Sequence, residues 1–318
     1  MALPTIADLV AKARNADRLV GVLEEAIQDF SELRYIPART VDKEIYTYVK
    51  RTSLPTGGGF RSVNDGVTPS SSTYDEVTVT LKLLSEILVV DKGVALAYVD
   101  GPESYLMTEA VGSASAFLSK LLNQFYYGTQ NDANGFLGLA DVVDSSMVVD
   151  AGGTTANTGS SVWALHLNDP KGVCLAFKAD MNINPIEFPD PIEQLIPGTT
   201  SGTYFPALVS EFTAWVGLQP GHKYQIGRIK NITEDSGAQL NDDLMSDLYN
   251  KFPESSKPTV FVMSRRSRAQ LQKSRTAYNP LGAPAAVPAE WEGIPIVVSE
   301  VIRNNEAIPS TAPNQAGG

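Results

Sequence analysis

The sequence predicts an α+β fold that combines a long two-stranded ribbon, one very long helix and several later strands. A glycine- and serine-rich stretch between two β-prone runs predicts the ribbon over residues 41–86. An apolar stripe at helical spacing predicts the long helix over residues 102–127. The chain has 318 residues, near the length at which a single core stops growing, so we expect subdomains.

An amphipathic helix is predicted ahead of the ribbon. Its apolar residues recur at i, i+3 and i+4 positions and therefore share one face. Two interpretations of this face are open. It packs on the chain's own core, or the segment is an arm that docks on a neighbouring subunit. The residues are Leu19, Val22, Leu23, Ala26, Ile27 and Phe30.

The predicted ribbon has an outgoing strand at residues 44–50 and a return strand in which apolar and polar residues alternate from Val77 to Leu83. Residues 53–72 between them are crowded with glycine, proline and serine, which is long for a structureless loop in a compact domain. An isolated ribbon is marginal in water, and its own core is expected to lie far away. We therefore expect another copy of the chain to support it.

The long helix has clear signals at both ends. Pro102 suits the first helical position, Glu103 places an acid in the first turn, and Gly128 follows the apolar stripe. At 1.5 Å per residue such a helix is roughly 40 Å long. We interpret it as a strut.

Beyond the long helix, the sequence predicts a connector at residues 141–160 and then a mixture of strands and helices. Prolines are expected to interrupt the strands with an irregular excursion around residues 185–206. Residues 304–318 are poor in apolar side chains and are expected to fray. Strands are predicted at residues 161–167, 173–178, 207–218, 224–232, 259–263 and 294–298, and helices at residues 241–252 and 264–274.

Bulk properties argue against several classes of protein. The net charge of −11 disfavours nonspecific nucleic-acid binding, which needs a basic surface. The single cysteine, Cys174, excludes an intramolecular disulfide. No run reaches the ~18–20 apolar residues of a membrane span, and the first residues lack the pattern of a secretory signal.

The sequence has no constellation typical of an enzyme. Its two histidines, His166 and His222, stand apart from any triad signature, and we expect structural roles for both. Cys174 alternates with apolar neighbours in a predicted strand and is expected to be a small core residue. The three tryptophans are expected in the core as well. We therefore expect no catalytic residue, no cofactor and no metal.

Two acidic groups have alternative interpretations. Glu187, Asp190 and Glu193 have the residue types of a glycosidase pair or a calcium site, but a solvated proline-rich loop is the simpler interpretation. The Asn-Asp-Asp run at residues 241–243 fails the calcium-loop pattern. It suits a helix N-terminus, where acids complement the helix dipole.

Two further features are candidates for contacts between subunits. Residues 57–59, three glycines, lack the Gly-Lys-Ser/Thr ending of a phosphate-binding loop and are interpreted as a flexible or tightly turning tip. A group of five cations without an intervening acid is either a solvated helix face or a cationic surface that meets acidic neighbours or nucleic acid. These cations are Arg265, Arg266, Arg268, Lys273 and Arg275.

The chain also carries several short motifs in a distinctive order. They are Gly59-Phe60-Arg61-Ser62-Val63-Asn64-Asp65-Gly66 in the ribbon, Phe117-Leu118-Ser119-Lys120-Leu121-Leu122-Asn123-Gln124-Phe125-Tyr126-Tyr127-Gly128, Asn134-Gly135-Phe136-Leu137-Gly138-Leu139, Gly227-Arg228-Ile229-Lys230-Asn231-Ile232, Met263-Ser264-Arg265-Arg266 and Glu292-Gly293-Ile294-Pro295-Ile296. Each is weak alone, but their order and spacing over residues 5–302 resemble the major capsid proteins of short-tailed bacteriophages.

This resemblance implies the Hong Kong 97-type capsid fold. In its commonest version, the helix-and-strand unit precedes the long strands, whereas here residues 161–232 come before residues 264–298. We therefore expect a permuted connectivity. The implied parts are an N-arm (residues 1–40), an extended loop (41–86), the spine helix of a peripheral domain (87–130), a connector (131–160), the peripheral-domain strands with the proline-rich excursion (161–232), an axial domain (233–302) and a C-terminal tail (303–318).

The resemblance implies a structural function, in which copies assemble into the hexamers and pentamers of an icosahedral phage head enclosing double-stranded DNA. Implied partners are the portal protein, scaffolding and cement proteins, and packaged DNA through nonspecific proximity, with no membrane. The implied location is the virion capsid, after synthesis and assembly in the host bacterial cytoplasm. Candidate subunit-interface residues are Gly57, Gly58, Gly59, Phe60, Arg61, Asn64, Arg265, Arg266 and Arg268.

Two other classes of protein stay open. An encapsulin-like nanocompartment shares the implied fold and would enclose a protein cargo instead of a genome. A secreted β-rich protein or carbohydrate-active enzyme agrees only with the strand content and the acidic proline-rich segment, and would be a monomer.

Overall fold

The computed structural model describes residues 5, 27–53, 55–169, 172–178, 186, 188–277 and 283–308. Most of the amphipathic helix predicted before the ribbon lies outside these residues. Its last part is described, and there Ile27 is buried and Phe30 packs against the main core. Residues 309–318 of the predicted tail also lie outside the described part.

The described chain mixes strands and helices along its length. The strands are β1 (Ala38–Val41), β2 (Ile45–Ser53), β3 (Thr73–Thr80), β4 (Lys82–Asp91), β5 (Val148–Asp150), β6 (Ser160–Leu165), β7 (Val173–Lys178), β8 (Ile192–Pro197), β9 (Tyr204–Pro220), β10 (Ile226–Ile232), β11 (Val260–Met263), β12 (Glu290–Trp291) and β13 (Ile294–Val298). The helices are α1 (Lys92–Ala97), α2 (Pro102–Tyr127), α3 (Leu139–Val142), α4 (Asp242–Tyr249) and α5 (Arg265–Ala277).

One sheet has five strands in the order β1-β7-β9-β4, with β8 also paired to β9. The long strand β9 organises this sheet. It pairs antiparallel with β8 over residues 204–209, with β4 over residues 207–216 and with β7 over residues 216–220. Side chains alternate along a strand. Strand β4 therefore buries Leu88 and Val90 in the core beside α2, and Val89 between them points outward.

The second sheet has six strands in the order β12-β13-β11-β6-β10-β5. Its central strand β6 is buried at every residue, because helices cover both faces of the sheet. Trp163 faces the core that includes α2, whereas Val162 faces a second core with Leu248 of α4 and Leu271 of α5. Strands are confirmed within the predicted segments 161–167, 259–263 and 294–298, and the structure places these three strands side by side in this sheet.

Helix α2 is the strut predicted from the sequence. It is 26 residues long and contacts both sheets. Phe117 lies 6.2 Å from Phe212 of the five-stranded sheet, between ring centroids, and Tyr126 lies 6.1 Å from Trp163 of the six-stranded sheet. The helix therefore fixes one sheet relative to the other. Among the described helices, none is both long enough and apolar enough to cross a membrane.

Gly128 ends α2 in a conformation that only glycine adopts easily, with φ of 53°. A Cβ there would lie 1.8 Å from Oδ2 of Asp141 and 2.2 Å from the backbone N of Gly138. We expect Gly128→Ala to lower the free energy of unfolding by about 2–6 kcal/mol, because backbone strain and overpacking each cost about 1–3 kcal/mol. Urea denaturation of the unassembled chain measures this loss.

The matched control is Gly112→Ala in the same helix, where a Cβ meets nothing within 4 Å. That substitution is expected to raise stability by about 0.5–1 kcal/mol, because glycine inside a helix carries an entropic cost. Similar effects at Gly128 and Gly112 would contradict the role of Gly128 as a helix terminator.

The paired ribbon is shorter than the sequence predicts. Strands β2 and β3 pair antiparallel, and the pairing ends at Ile45 and Thr80. After Leu81 the chain enters β4 of the five-stranded sheet, where the inward positions become even-numbered, as at Leu88. Leu83 is therefore exposed and does not continue the alternating face of the ribbon.

The proline-rich excursion contains a strand that was not predicted. Strand β8 pairs antiparallel with β9 from Ile192↔Val209 to Pro197↔Tyr204. The expectation of an irregular segment is wrong for these six residues. Proline lacks an N–H group and disfavours central strands, but β8 contains only Pro197, which is its last residue.

Candidate functional site

The base of the ribbon packs on the outer face of the five-stranded sheet of the same chain. Val79 and Leu81 are buried there against Ala176, and Tyr46 and Trp215 pack around them. The Tyr46 hydroxyl also donates to Oε1 of Gln219 at 3.2 Å. The expectation that the ribbon lies far from its own core is therefore wrong for its base.

The distal part of the ribbon is different, because its apolar side chains face solvent. Val49 and Tyr74 are about three-fifths exposed, and Phe60 and Val63 at the tip are almost completely exposed. Every described residue from 55 to 71 is exposed. Exposed apolar side chains concentrated on one projecting element are typical of an interaction surface.

Short contacts within the tip give it a local shape. The N–H of Gly57 donates to Oγ of Ser70 at 2.5 Å, and Nη1 of Arg61 donates to the carbonyl of Asp65 at 2.8 Å. Asn64 adopts the left-handed conformation, with φ of 67°, that such a turn needs. The structure thus brings six of the predicted interface residues into one projecting tip: Gly57, Gly58, Gly59, Phe60, Arg61 and Asn64.

A second apolar surface lies on the outer face of the five-stranded sheet, beyond the base of the ribbon. Val89 of β4 is paired with Val209 of β9, which is paired with Ile192 of β8. Cross-strand partners lie on the same face of a sheet, so these three residues form a row across three strands. Ile87 lies on the same face of β4 as Val89, and both are exposed, as is Ile192.

The predicted arginine cluster lies on α5, but its members have different surroundings. Arg265 is exposed and pairs with the exposed Glu300 at 3.2 Å. Arg266 is partly buried, and its guanidinium donates to the carbonyls of Thr158, Ile232 and Asn304. Arg275 is also bound within the chain, because it forms a bidentate contact with Asp242.

This arrangement corrects the expectation of one cationic surface. The hydrogen bonds from Arg275 hold the pKa of Asp242 below its ordinary value, which is typical of a stable ion pair. The outer cations of α5 are then Arg265 and Lys273, which are exposed, and Arg268, which is half-buried. Arg266 instead joins α5 to two loops and to the end of β10.

The other candidate groups take structural roles. Glu193 lies in β8 and pairs with Nζ of Lys92 at 2.7 Å, and Asn241 caps α4 by accepting from the N–H of Leu244. Cys174 is buried, and burial raises the pKa of its thiol to about 12. Glu187 lies outside the described residues. Within the described part of the chain, no group of three metal-binding side chains is close enough to hold an ion.

One buried polar cluster was missed by the sequence analysis. Glu306 accepts hydrogen bonds from the hydroxyls of Tyr127 and Ser161 and pairs with Nη2 of Arg228 at 3.0 Å. Its backbone also bridges to Gly159. The expectation that residues 304–318 fray is therefore wrong up to residue 308, because Glu306 ties this segment to α2 and to the six-stranded sheet.

Nothing local in the sequence signals this contact. The residues that bind Glu306 are 78, 145 and 179 positions away along the chain. The one hint in the sequence is that the polar tail contains an ionisable residue. Such a residue becomes buried only when another part of the chain supplies a partner of opposite charge.

Two solved phage structures share this architecture. The structure of bacteriophage Epsilon15 aligns with a TM-score of 0.59 at 20% identity, over 85% of this chain and 86% of that chain. The capsid of bacteriophage JBD30 aligns with a TM-score of 0.51 at 14% identity, over 87% and 92% respectively. At these identities the likeness concerns the fold, which is the Hong Kong 97-type fold of shell-forming capsid subunits.

The sequence gives the family. The family model of the major capsid protein GP7 matches residues 13–308, and the chain therefore belongs to this family of phage capsid proteins. Its role is structural, as a subunit of a phage shell. No curated protein matches the chain. The encapsulin of Synechococcus elongatus PCC 7942 aligns with a TM-score of only 0.43 at 8% identity, over 63% of this chain and 86% of that chain, which supports no inference.

Proposed function

We propose that copies of this chain join into the hexamers and pentamers of an icosahedral head that encloses double-stranded DNA. The observation that carries the proposal is the distal ribbon, in which Val49, Phe60, Val63, Val67 and Tyr74 are left uncovered by their own chain. A segment of this kind gains stability only when another surface covers it.

The surface proposed to receive it is the outer face of the five-stranded sheet on a neighbouring copy. The row formed by Val89, Val209 and Ile192 offers apolar area to the apolar tip residues Phe60 and Val63. Burial of a few hundred Å² at about 25 cal/mol per Å² gives several kcal/mol before ordering costs are subtracted. A modest contact of this size suits an assembly in which each subunit has many neighbours.

The contact is heterologous, because the ribbon and the sheet face are different surfaces of one chain. Contacts of this type close into rings when the rotation between neighbours permits. Each copy in a ring is then held by its own ribbon and by that of a neighbour. Loss of one subunit requires both contacts to break, so the shell is more stable than any single interface.

The parts of the chain are proposed to have the roles implied by the resemblance. Packaged DNA is proposed to contact the shell without sequence recognition, the portal, scaffolding and cement proteins are proposed partners, and assembly is placed in the host bacterial cytoplasm. Neither catalysis nor a membrane belongs to the proposal. The proposed parts are an N-arm (residues 1–40), an extended loop (41–86), a peripheral domain (87–130 and 161–232) joined by a connector (131–160), an axial domain (233–302) and a tail (303–318), in a permuted order.

The outer cations of α5 are proposed to meet acidic surfaces of neighbouring copies. We expect the double variant Arg265→Glu and Arg268→Glu to reduce the yield of particles by about tenfold or more, because like charges brought together across an interface cost several kcal/mol. Arg265 is exposed and Arg268 is half-buried, so thermal unfolding of the unassembled chain is expected to change little. Particle yield is counted by negative-stain electron microscopy.

The matched control is Arg266→Glu, one position away on the same helix. It removes donors from three backbone carbonyls, so unfolding is expected at a clearly lower temperature. If the double variant assembles as well as the native chain, the outer cations are only a solvated face.

The proposed function is tested by expressing the chain and imaging the product. Closed shells are expected in negative stain, and particles from the native source are expected to hold nuclease-protected DNA. A packaged protein instead of DNA would favour the encapsulin-like alternative. A stable monomer in size-exclusion chromatography, under conditions that assemble related capsids, would contradict both.

A further inference from the structure

A buried carboxyl lies where the N-terminal segment enters the body of the protein. Glu32 belongs to a short 3-10 turn, Ser31–Arg34, which immediately precedes β1. Its side chain is only 1% exposed, although acids are almost never buried without a partner. The turn rests on the end of β13, where the hydroxyl of Ser31 donates to the carbonyl of Val298 at 3.4 Å.

The surroundings of this carboxyl suit its neutral form. The hydroxyl of Ser299 bonds to Oε1 of Glu32, and within the described chain no lysine, arginine or histidine forms an ion pair with that carboxyl. The hydroxyl of Tyr126 on α2, which interacts electrostatically with Glu32, is fully buried and has no hydrogen-bond partner. A charged carboxylate whose only donors are this hydroxyl and its own backbone N–H is costly in such a place.

We propose that Glu32 and Ser299 form a protonation-dependent clasp, which holds the turn before β1 against the six-stranded sheet when the acid is neutral and releases it when the acid ionises. The clasp controls how firmly this turn is attached to the six-stranded sheet. This inference concerns the subunit itself and does not depend on how subunits contact one another.

The direction of the pH response follows from the groups that face Glu32. Burial is the main cause that raises the pKa of its carboxyl above the ordinary value of 4.5, and Glu300 beyond β13 raises it further. The hydrogen bonds from Ser299 and from the backbone N–H of Glu32 oppose them. From α2 the facing titratable group is Tyr126, which is neutral at physiological pH. The stabilisation is complete below about pH 4.5 and is lost as the pH rises through the raised pKa.

Hydrogen exchange of the full chain at pH 5 and pH 8, corrected for the intrinsic rate at each pH, tests the clasp. The amides of Leu33, Tyr35 and Ile36 report on it, since each donates to a carbonyl within the turn or just before it. Because ionisation of the buried carboxyl favours the open turn, we expect the protection of these amides to be lower at pH 8 than at pH 5.

Glu32→Gln keeps the shape of the side chain and cannot ionise, so it is expected to keep the protection seen at pH 5 at both pH values. The matched control is Glu300→Gln, an exposed neighbour, which is expected to keep most of the native pH response, because burial and not Glu300 is the main cause that raises the pKa of Glu32. Equal protection of the native chain at both pH values would overturn the clasp. So would a pH response that persists in Glu32→Gln.

A second variant keeps the proposal testable if Glu32→Gln does not fold. Ser299→Ala removes the hydroxyl that stabilises the charged form, so the loss of protection between pH 5 and pH 8 is expected to become larger than in the native chain. A smaller loss, or an unchanged one, would contradict the clasp.

Discussion

Deletion of residues 56–71 is expected to leave a folded chain that forms no closed particles. The deleted residues are exposed throughout, and the contacts among their described side chains stay within the tip and its flanking strands. The body should therefore lose little free energy of unfolding, since surface residues away from packed groups contribute little. The assembled shell loses the apolar tip residues Phe60 and Val63, which our proposal places on a neighbouring copy.

Two measurements separate these effects. Far-UV circular dichroism and a urea midpoint close to those of the native chain would show that the subunit folds, and negative-stain electron microscopy would count closed shells. The control replaces residues 56–71 by a glycine- and serine-rich segment of the same length, which keeps the reach of the tip and removes its side chains. Normal shells from the deletion variant would refute the role of the ribbon in assembly.

The elements with strong local signals were predictable from the sequence. Helix α2 begins at Pro102 and ends before Gly128 as predicted, because each end has a residue whose backbone preference stops or starts a helix. Asn241 was correctly placed at the start of α4, where its side chain caps the helix. Trp163 was predicted to be in the core and is completely buried.

Other features depend on contacts between residues that are far apart along the chain. The local sequence pattern could not predict these features. The change of inward face between Leu81 and Leu88 happens where the chain leaves one sheet for another, and only the partner strand β9 determines it. Strand β8 contains two acidic or amide residues and ends in proline, and it is a strand because β9 offers a free edge.

The candidate site divides in the same way. The glycine-rich tip was recognised because its composition alone excludes regular structure. The separation of Arg266 from Arg265 was not predictable, because it depends on three backbone carbonyls that no sequence pattern links to α5. Neighbouring residues on one helix can therefore belong to the interior and to the exposed surface.

The ion pairs of this chain show how much burial changes the effect of a charge. Arg228 and Glu306 are 14% and 10% exposed, whereas Arg265 and Glu300 are 77% and 78% exposed. An exposed pair contributes little because water screens it and two long side chains must be ordered. A buried pair contributes little as a whole, but removal of one partner leaves an unpaired charge in the interior.

Glu306→Ala is therefore expected to lower the free energy of unfolding by about 3–5 kcal/mol, the usual cost of a buried charge left without its partner. The substitution also removes the acceptor of the hydrogen bonds that the hydroxyls of Tyr127 and Ser161 donate. Urea denaturation measures the loss, and Arg265→Ala, the exposed counterpart, is expected to change the midpoint very little. The double variant Arg228→Ala with Glu306→Ala should lose less than the sum of the two single variants, because it leaves no charge unpaired. Strict additivity would mean that the tail is held by its backbone bridge to Gly159 and not by this pair.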